Sequence, residues 1–177
     1  MAIDRTNTFA WQPNAALSEA SNAAAFMRAL GVGSWEAMVR CGDEDPDRFH
    51  RALLDHVGFR FYRPYHTVVD ETRGPAWARW CVGGTTNVVL NVIDRWRGTP
   101  TYDKPLLDWE GEDGACRTLT YRAVDREICR LAGGLRALGL VPGDVVAIYL
   151  PNVPEAVVAM LAIAKIGAVV MPLFSGF

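Results

Sequence analysis

The stretch from Val145 to Leu173 constrains the fold more than any other part of the chain. Val145 to Leu150 is a β-branched, apolar run, Pro154 suits the first turn of a helix, Gly167 suits its end, and Ala168 to Leu173 is a second apolar run. Strand, crossover helix and strand of this length make a parallel βαβ unit, right-handed by default. Runs that stay apolar instead of alternating belong to a sheet covered on both faces. The expected class is therefore α/β with a buried, mainly parallel sheet. Ala156 to Phe174 also has to be weighed as a membrane span, because it is nearly all apolar and close to bilayer length. Lys165 would then sit near the midplane at a cost of about 3 kcal/mol, and Gly167 and Pro172 would break the helix before its end. Two shorter buried elements fit better.

The preceding residues continue the alternation. Lys104 to Glu110 and Cys116 to Thr120 are short strands around the acidic turn Gly111-Glu112-Asp113-Gly114. Thr120 caps a long helix with Val124, Ile128, Leu131, Leu135 and Leu138 in one stripe, which leaves Arg122, Asp125, Arg126 and Arg130 for the other face; Gly139 ends it. Val141-Pro142-Gly143-Asp144 is a turn, which Asp144 closes by bonding local backbone N–H groups. Upstream, Thr86 or Asn87 starts a helix with Val88, Val89, Val92, Ile93 and Trp96 inward.

Residues 1–75 read as helices and irregular chain. Ser18 caps a helix through Leu30 that Gly31 ends, and Ser34 caps a short one beginning at Trp35. Asp45 and Pro46 open a third, with Phe49, Leu53 and Val57 spaced four apart and Gly58 as the stop. These apolar faces are narrow, so the helices are expected to lean on something larger. Phe59 to Pro75 is aromatic and basic, interrupted by Pro64 and Gly74-Pro75, and reads as an extended connection ending near a boundary. The expected organisation is a helical cap, residues 1–75, and the first part of an α/β domain, residues 76–177.

Charge excludes some partners. With 21% charged residues and a formal net charge of −2, nothing draws the chain to nucleic acid or an anionic membrane. Cys41, Cys81, Cys116 and Cys129 lack metal-site or redox-pair spacing and read as reduced, buried thiols. Met1-Ala2-Ile3-Asp4-Arg5 opens no apolar core of signal-peptide length, so a cytoplasmic protein is expected.

Few residues suggest chemistry by pattern alone. Gly83-Gly84-Thr85-Thr86 has the make-up of a phosphate-cradling loop, but it lacks the P-loop lysine and reads as a helix entry. Gly42-Asp43-Glu44-Asp45-Pro46-Asp47 has the acidity of a calcium loop without its spacing or terminal glutamate, and acidic residues at a helix start explain it. His50, His56 and His66 do not share a helical face at ligand spacing, so no metal site is expected. Gly133-Gly134, inside a helix, reads as a point of close packing. No catalytic nucleophile with a nearby base can be assigned from spacing.

Several stretches, taken in order, carry a resemblance. They are Trp80-Cys81-Val82-Gly83-Gly84 with Asn87 and Asp94-Arg95; Trp109-Glu110-Gly111; and Leu138-Gly139-Leu140 through Gly143-Asp144-Val145-Val146-Ala147-Ile148-Tyr149. Pro151, Val153-Pro154-Glu155, Ala159-Met160-Leu161-Ala162, Ile166-Gly167-Ala168 and Phe174-Ser175-Gly176-Phe177 complete them. Together they resemble acetyl-CoA synthetases and the wider adenylate-forming acyl-CoA synthetase family, over about residues 75–177 and more loosely from Trp11 onward.

The resemblance implies that residues 1–75 are an outer cap and the rest the opening βαβ units of a large adenylation domain, truncated before its centre. It also implies a two-step reaction with ATP, Mg²⁺, CoA and a small carboxylic acid: acyl-adenylate formation with loss of pyrophosphate, then thioester formation. The family's phosphate loop, adenine-binding motif, ribose-binding aspartate and catalytic lysine would lie downstream of Phe177, with the remainder of the adenylation domain as the immediate partner. The 177 residues alone are thus expected to be inactive. One element carries over by resemblance: Phe174, Ser175 and Gly176 match a stretch that binds the nucleotide end of CoA, with Ser175 where the family has a second glycine. The alternative at these residues is a tight turn leaving the sheet. For the whole chain it is a non-catalytic α/β ligand-binding or subunit-interface module.

Overall fold

Side-chain oxygens set most of the helix starts. In the computed structural model, which describes residues 11–174, Asn14 accepts from the Leu17 N–H at 2.8 Å ahead of α1 (Ala15–Glu19). Ser21 does the same for Ala24 at 3.1 Å ahead of α2 (Asn22–Leu30). The single helix expected from Ser18 is therefore two. Ser21 both caps α2 and donates its hydroxyl to the Ser18 carbonyl at 2.7 Å, which breaks the ladder where one helix would have continued. Ser34 caps α3 (Trp35–Glu44) and Asp45 caps α4 (Pro46–His56), each accepting an N–H at 3.1 Å as the sequence predicts. Gly31 and Gly58, with φ of 75° and 60°, supply the left-handed residue at two helix ends.

The described residues divide into two compact units, one up to Phe59 with Tyr65–Gly83, the other Arg60–Pro64 with Gly84 onward. In the first, Phe26, Leu30, Met38 and Cys41 are buried together, and Phe26 meets Phe49 edge to face at 5.4 Å. The narrow helices thus close a small core of their own, because two aromatic rings fill the space between the stripes. The expected extended connection is partly a hairpin: β1 (Thr67–Asp70) pairs antiparallel with β2 (Arg79–Val82), and Val68 is fully buried. Asp70 and Arg79 form an ion pair at the end where residues 71–78 connect the two strands.

In the second unit, Asn87 caps α5 (Val88–Val92), accepting from the Val89 N–H at 2.9 Å. Val89 and Ile93 are buried, whereas Val88 and Val92, four apart on the neighbouring face, are exposed, so only one of the two expected pairs points inward, and α5 gives way to a 3₁₀ turn at Asp94–Trp96. The hairpin of β3 (Pro105–Glu110) and β4 (Cys116–Thr120) forms around the acidic turn as predicted. Thr120 then caps α6 (Tyr121–Ala137), accepting from Ala123 at 3.2 Å. Its buried face is Val124, Asp125, Ile128 and Ala132, rotated from the predicted stripe, so Leu131 is partly exposed and Leu138 is exposed while Asp125 points inward. No neighbouring atom lies within 4 Å of a Cβ placed on Gly133 or Gly134 among the described residues, so close packing does not explain this pair.

The βαβ unit is present. β5 (Val145–Ile148) runs parallel to β6 (Val169–Pro172), in register from Val145↔Val169 to Ile148↔Pro172, with α7 (Pro154–Lys165) between them in sequence. The Val141 N–H donates to Asp144 at 2.7 Å, which closes the preceding turn. Val146, Ile148 and Val170 pack on the core formed by Ile128, Leu161, Ala162 and Ile166. Val145, Val169 and Met171 remain 60%, 50% and 44% exposed. The sheet expected to be covered on both faces is thus covered on one, and among the described residues the three sheets are two-stranded. The Asn87 side-chain amide donates to the Ala164 carbonyl at 2.7 Å and Lys165 pairs with Asp94 at 2.9 Å, so α5 and the turn after it are tied to the end of α7. Among the described residues no helix is long and apolar enough to cross a membrane.

Candidate functional site

The carboxyl ends of β5 and β6 open into a groove of about 770 Å³. Ligands of open α/β sheets bind at such strand ends. The Leu173 N–H donates to the Ile148 carbonyl at 2.8 Å, so the two strands stay together to their last residues and Phe174 follows directly beside the groove. Leu150 and Met160 give it apolar wall, Phe174 is 75% exposed, and the β3–β4 turn forms a lip. Glu110 and Glu112 stand on that lip, and the described lining contains no lysine or arginine. Uncharged parts of a ligand suit this surface better than phosphate does. Of the three residues assigned by resemblance, the structure places Phe174 here; Ser175 and Gly176 lie outside the described residues.

A contact the sequence did not reveal shapes the wall. The Trp109 indole N–H donates to the Asn152 carbonyl at 2.6 Å, joining the β3–β4 hairpin to the loop before α7. Gly111 makes room for it, since a Cβ there would lie 2.7 Å from Trp109 Cη2. The W-x-G spacing at a strand end was the one signal of this in the sequence.

A network of charged and polar side chains surrounds the one charged residue buried among those described. Asp125, 3% exposed, accepts from Arg97 Nε and Nη2 at 2.6 Å each and from the Tyr102 hydroxyl at 2.7 Å. Burial pushes its carboxyl up, but hydrogen bonds from Arg97 and Tyr102 outweigh burial and hold it below the usual carboxylate range. The Cys129 thiol lies 3.5 Å from the same carboxylate and is pushed up, first by burial and then by that charge. Asp94 pairs with both Arg97 and Lys165, which extends the network to α7. Every group is partnered, so the arrangement braces the core and has no free acid or base to offer.

The remaining candidates are occupied by structural work. Gly83 has φ of 82° and a Cβ there would meet His66 at 2.5 Å; the Thr85 N–H donates to the Arg63 carbonyl and the Thr86 hydroxyl to the Arg60 carbonyl. The Thr85 amide and the Thr86 hydroxyl of that loop are therefore committed to backbone. His50 packs on Trp80 and His56 on Phe26, while His66 Nδ1 lies 3.1 Å from the Thr67 hydroxyl. Among the described residues no cluster of histidine, cysteine and carboxylate side chains could hold a metal ion. All four thiols are free; Cys116 and Cys129 are exposed as residues where burial was expected, although the Cys129 sulfur itself turns toward the buried Asp125 carboxylate. A second cleft of about 580 Å³ between α6 and the start of α7 has Arg117 and Arg130 at its rim, already paired with Glu155 and Glu127.

Comparison with known proteins matches this architecture over nearly its whole length. The model for the acetyl-coenzyme A synthetase N-terminus matches residues 35–92, and the model for AMP-binding enzymes matches residues 94–177. Acetyl-coenzyme A synthetase of Deinococcus radiodurans is 50% identical over 150 residues, covering 81% of this chain and 23% of that protein. The Sodalis glossinidius enzyme of the same name is 45% identical over 139 residues, covering 75% of this chain and 20% of its own length. Acetoacetyl-CoA synthetase from Streptomyces lividans superposes with a TM-score of 0.85 at 32% identity, covering 94% of this chain and 26% of that one. The chain thus spans about a quarter or less of the relatives it matches. Two family models that run end to end in this order, with the parallel strand pair and the hairpin in the region of the second, mean that the chain belongs to the AMP-binding enzyme family and corresponds to the N-terminal region of its acetyl-coenzyme A synthetases.

Proposed function

We propose that this chain is the opening part of an AMP-forming acyl-CoA synthetase, which joins a small carboxylic acid to AMP at the expense of ATP with Mg²⁺ and then passes the acyl group to the CoA thiol. The observation that carries the reading is the unbroken order of the two family matches over residues 35–177. In it, residues 1–75 serve as an outer cap and residues 76–177 begin the adenylation domain, whose remainder is the closest partner. Free thiols throughout support a cytoplasmic setting.

Within the enzyme, this segment binds and does not react. Phe174, Ser175 and Gly176 receive the nucleotide end of CoA. Phe174 is exposed at the strand ends and offers an aromatic face to a base, and the lining's carboxylates send the phosphates elsewhere. Adenylation needs no CoA, so the two half-reactions separate the roles. In a synthetase carrying these residues, Gly176→Leu is expected to raise the KM for CoA while ATP–pyrophosphate exchange continues. Equal losses in both half-reactions would mean general damage to the fold and would remove the assignment.

A further inference from the structure

We propose that Trp109 is a positioning residue for the groove: its indole latches the β3–β4 turn to the loop before α7 and so sets the wall against which CoA is bound. The proposal rests on the CoA reading above.

The argument starts from how α7 begins. The longer helices α2, α3, α4 and α6 each start on a side-chain cap, but Val153 at the cap position of α7 has no oxygen to offer and makes no side-chain cap bond. Pro151, Asn152 and Val153 therefore lack the local device that fixes the entry of those helices. The Val153 N–H reaches only two residues back, to the Pro151 carbonyl at 2.8 Å. What holds the loop from outside is the Trp109 N–H on the Asn152 carbonyl at 2.6 Å, reaching across 43 residues of sequence. The other tie between the hairpin and the start of α7, Arg117 to Glu155 at 2.8 Å, joins two half-exposed side chains and contributes little.

Gly111 is part of the same device. The benzenoid edge of Trp109 lies where a Cβ of residue 111 would be, with Cη2 at 2.7 Å and Cζ2 at 3.1 Å from that position. The Asp113 carboxylate, which accepts from the Ala115 N–H within the turn, lies 2.7 Å from the same position, so a side chain at 111 would displace the ring and with it the indole N–H, and would press on the turn as well. Trp109, Asn152 and Phe174 all line one groove, so a shift of the loop changes the distance across which a ligand is held. The hairpin has independent support, including the Tyr121 N–H on the Lys104 carbonyl at 3.2 Å, so breaking the latch loosens the wall without unfolding the unit.

The test uses a full-length synthetase carrying this segment, with CoA itself as the probe. Trp109→Phe, which keeps a ring and removes the donor, is expected to raise the KM for CoA about fivefold, the effect of one hydrogen bond, while ATP–pyrophosphate exchange falls less than twofold. Gly111→Ala is expected to raise the KM for CoA as well, through both the ring and the Asp113 turn, and to add less than its own effect on top of Trp109→Phe, whose smaller ring no longer fills the space; Trp109→Leu, which also removes the donor, carries the test if Trp109→Phe does not fold. An unchanged KM for CoA in Trp109→Phe, alongside a raised one in Gly176→Leu, would overturn the latch and leave the CoA site standing. Unchanged values in both variants would overturn the site and the latch with it. Equal loss of exchange and thioester formation in Trp109→Phe would show a general structural role and also overturn the proposal.

Discussion

Removing Arg97 should reverse the pH dependence that Asp125 imparts to stability. In the wild type, hydrogen bonds from Arg97 and Tyr102 hold the buried carboxyl below its ordinary value. A carboxyl whose folded value is depressed contributes stability that is complete above the unfolded value of about 3.9 and is lost as pH falls through the lower folded value. Take Arg97 away as Arg97→Met and burial, already the largest single influence, is opposed by little more than the Tyr102 hydrogen bond, which raises the folded value above the unfolded one. The variant then gains relative stability below about pH 4 and loses it as pH rises through the raised value. The magnitude follows from the geometry. Breaking a buried pair costs about 3–5 kcal/mol, but the Arg97 side chain is 45% exposed and the pair was already partly solvated, so about 3 kcal/mol is expected near pH 7.5. Near pH 4.5, where the stranded carboxyl can take a proton, the gap from wild type should shrink to about 1 kcal/mol. Asp125→Asn, which keeps the shape and removes the charge, should cost about 2 kcal/mol. Urea unfolding followed by far-ultraviolet circular dichroism at several pH values measures all three proteins. A gap between wild type and Arg97→Met that stays flat across this range would refute the reasoning, as would an Asp125→Asn variant within about 0.5 kcal/mol of wild type.

Other substitutions test local features one at a time. Asp144→Ala should cost about 1 kcal/mol of stability by freeing the Val141 N–H, read from the urea midpoint. Gly167→Ala should cost more than about 1 kcal/mol, because φ is 80° and the new Cβ would lie 3.2 Å from the Pro142 Cβ. Gly133→Ala and Gly134→Ala should each stabilise by about 0.5–1 kcal/mol, since both are helical and meet nothing; a loss of stability would show a neighbour that the fold does not reveal. Cys129 should react with iodoacetamide more slowly than free cysteine near pH 8, because burial and the Asp125 charge both keep its thiol protonated.

Features set by neighbouring residues were the legible ones. Ser34, Asp45, Asn87 and Thr120 cap the helices they were expected to cap, and Gly139 and Gly167 follow the ends of α6 and α7 with left-handed φ. The parallel βαβ unit was readable because its strands and helix are consecutive. Asp125 was assigned to the wrong face of α6 because its partner Arg97 lies 28 residues away, and nothing within the helix says that a carboxylate there will be paired. The β1–β2 hairpin escaped notice because Glu71–Ala78 separates the strands with no short turn signal. Apolar runs in β5 and β6 implied two covered faces, but a run states only what a strand can tolerate, and the described residues cover one. The groove was the least legible feature: its wall depends on a backbone carbonyl, Asn152, whose acceptor role has no signature in residue type.

The ties between α5 and α7 bear on the order in which the chain can fold. Asn87 to Ala164 and Asp94 to Lys165 span 77 and 71 residues, whereas the helices of the first unit meet neighbours close by in sequence. Contacts between distant residues form slowly because a long loop must close before they reward it. During synthesis the first unit therefore has its partners to hand early, while Asn87 and Asp94 leave the ribosome long before α7 is made. Until then Val89 and Ile93 lack the part of their core that α7 supplies, Leu161 to Ile166, and the interval in which they stand partly open is the one in which a chaperone would find most to hold.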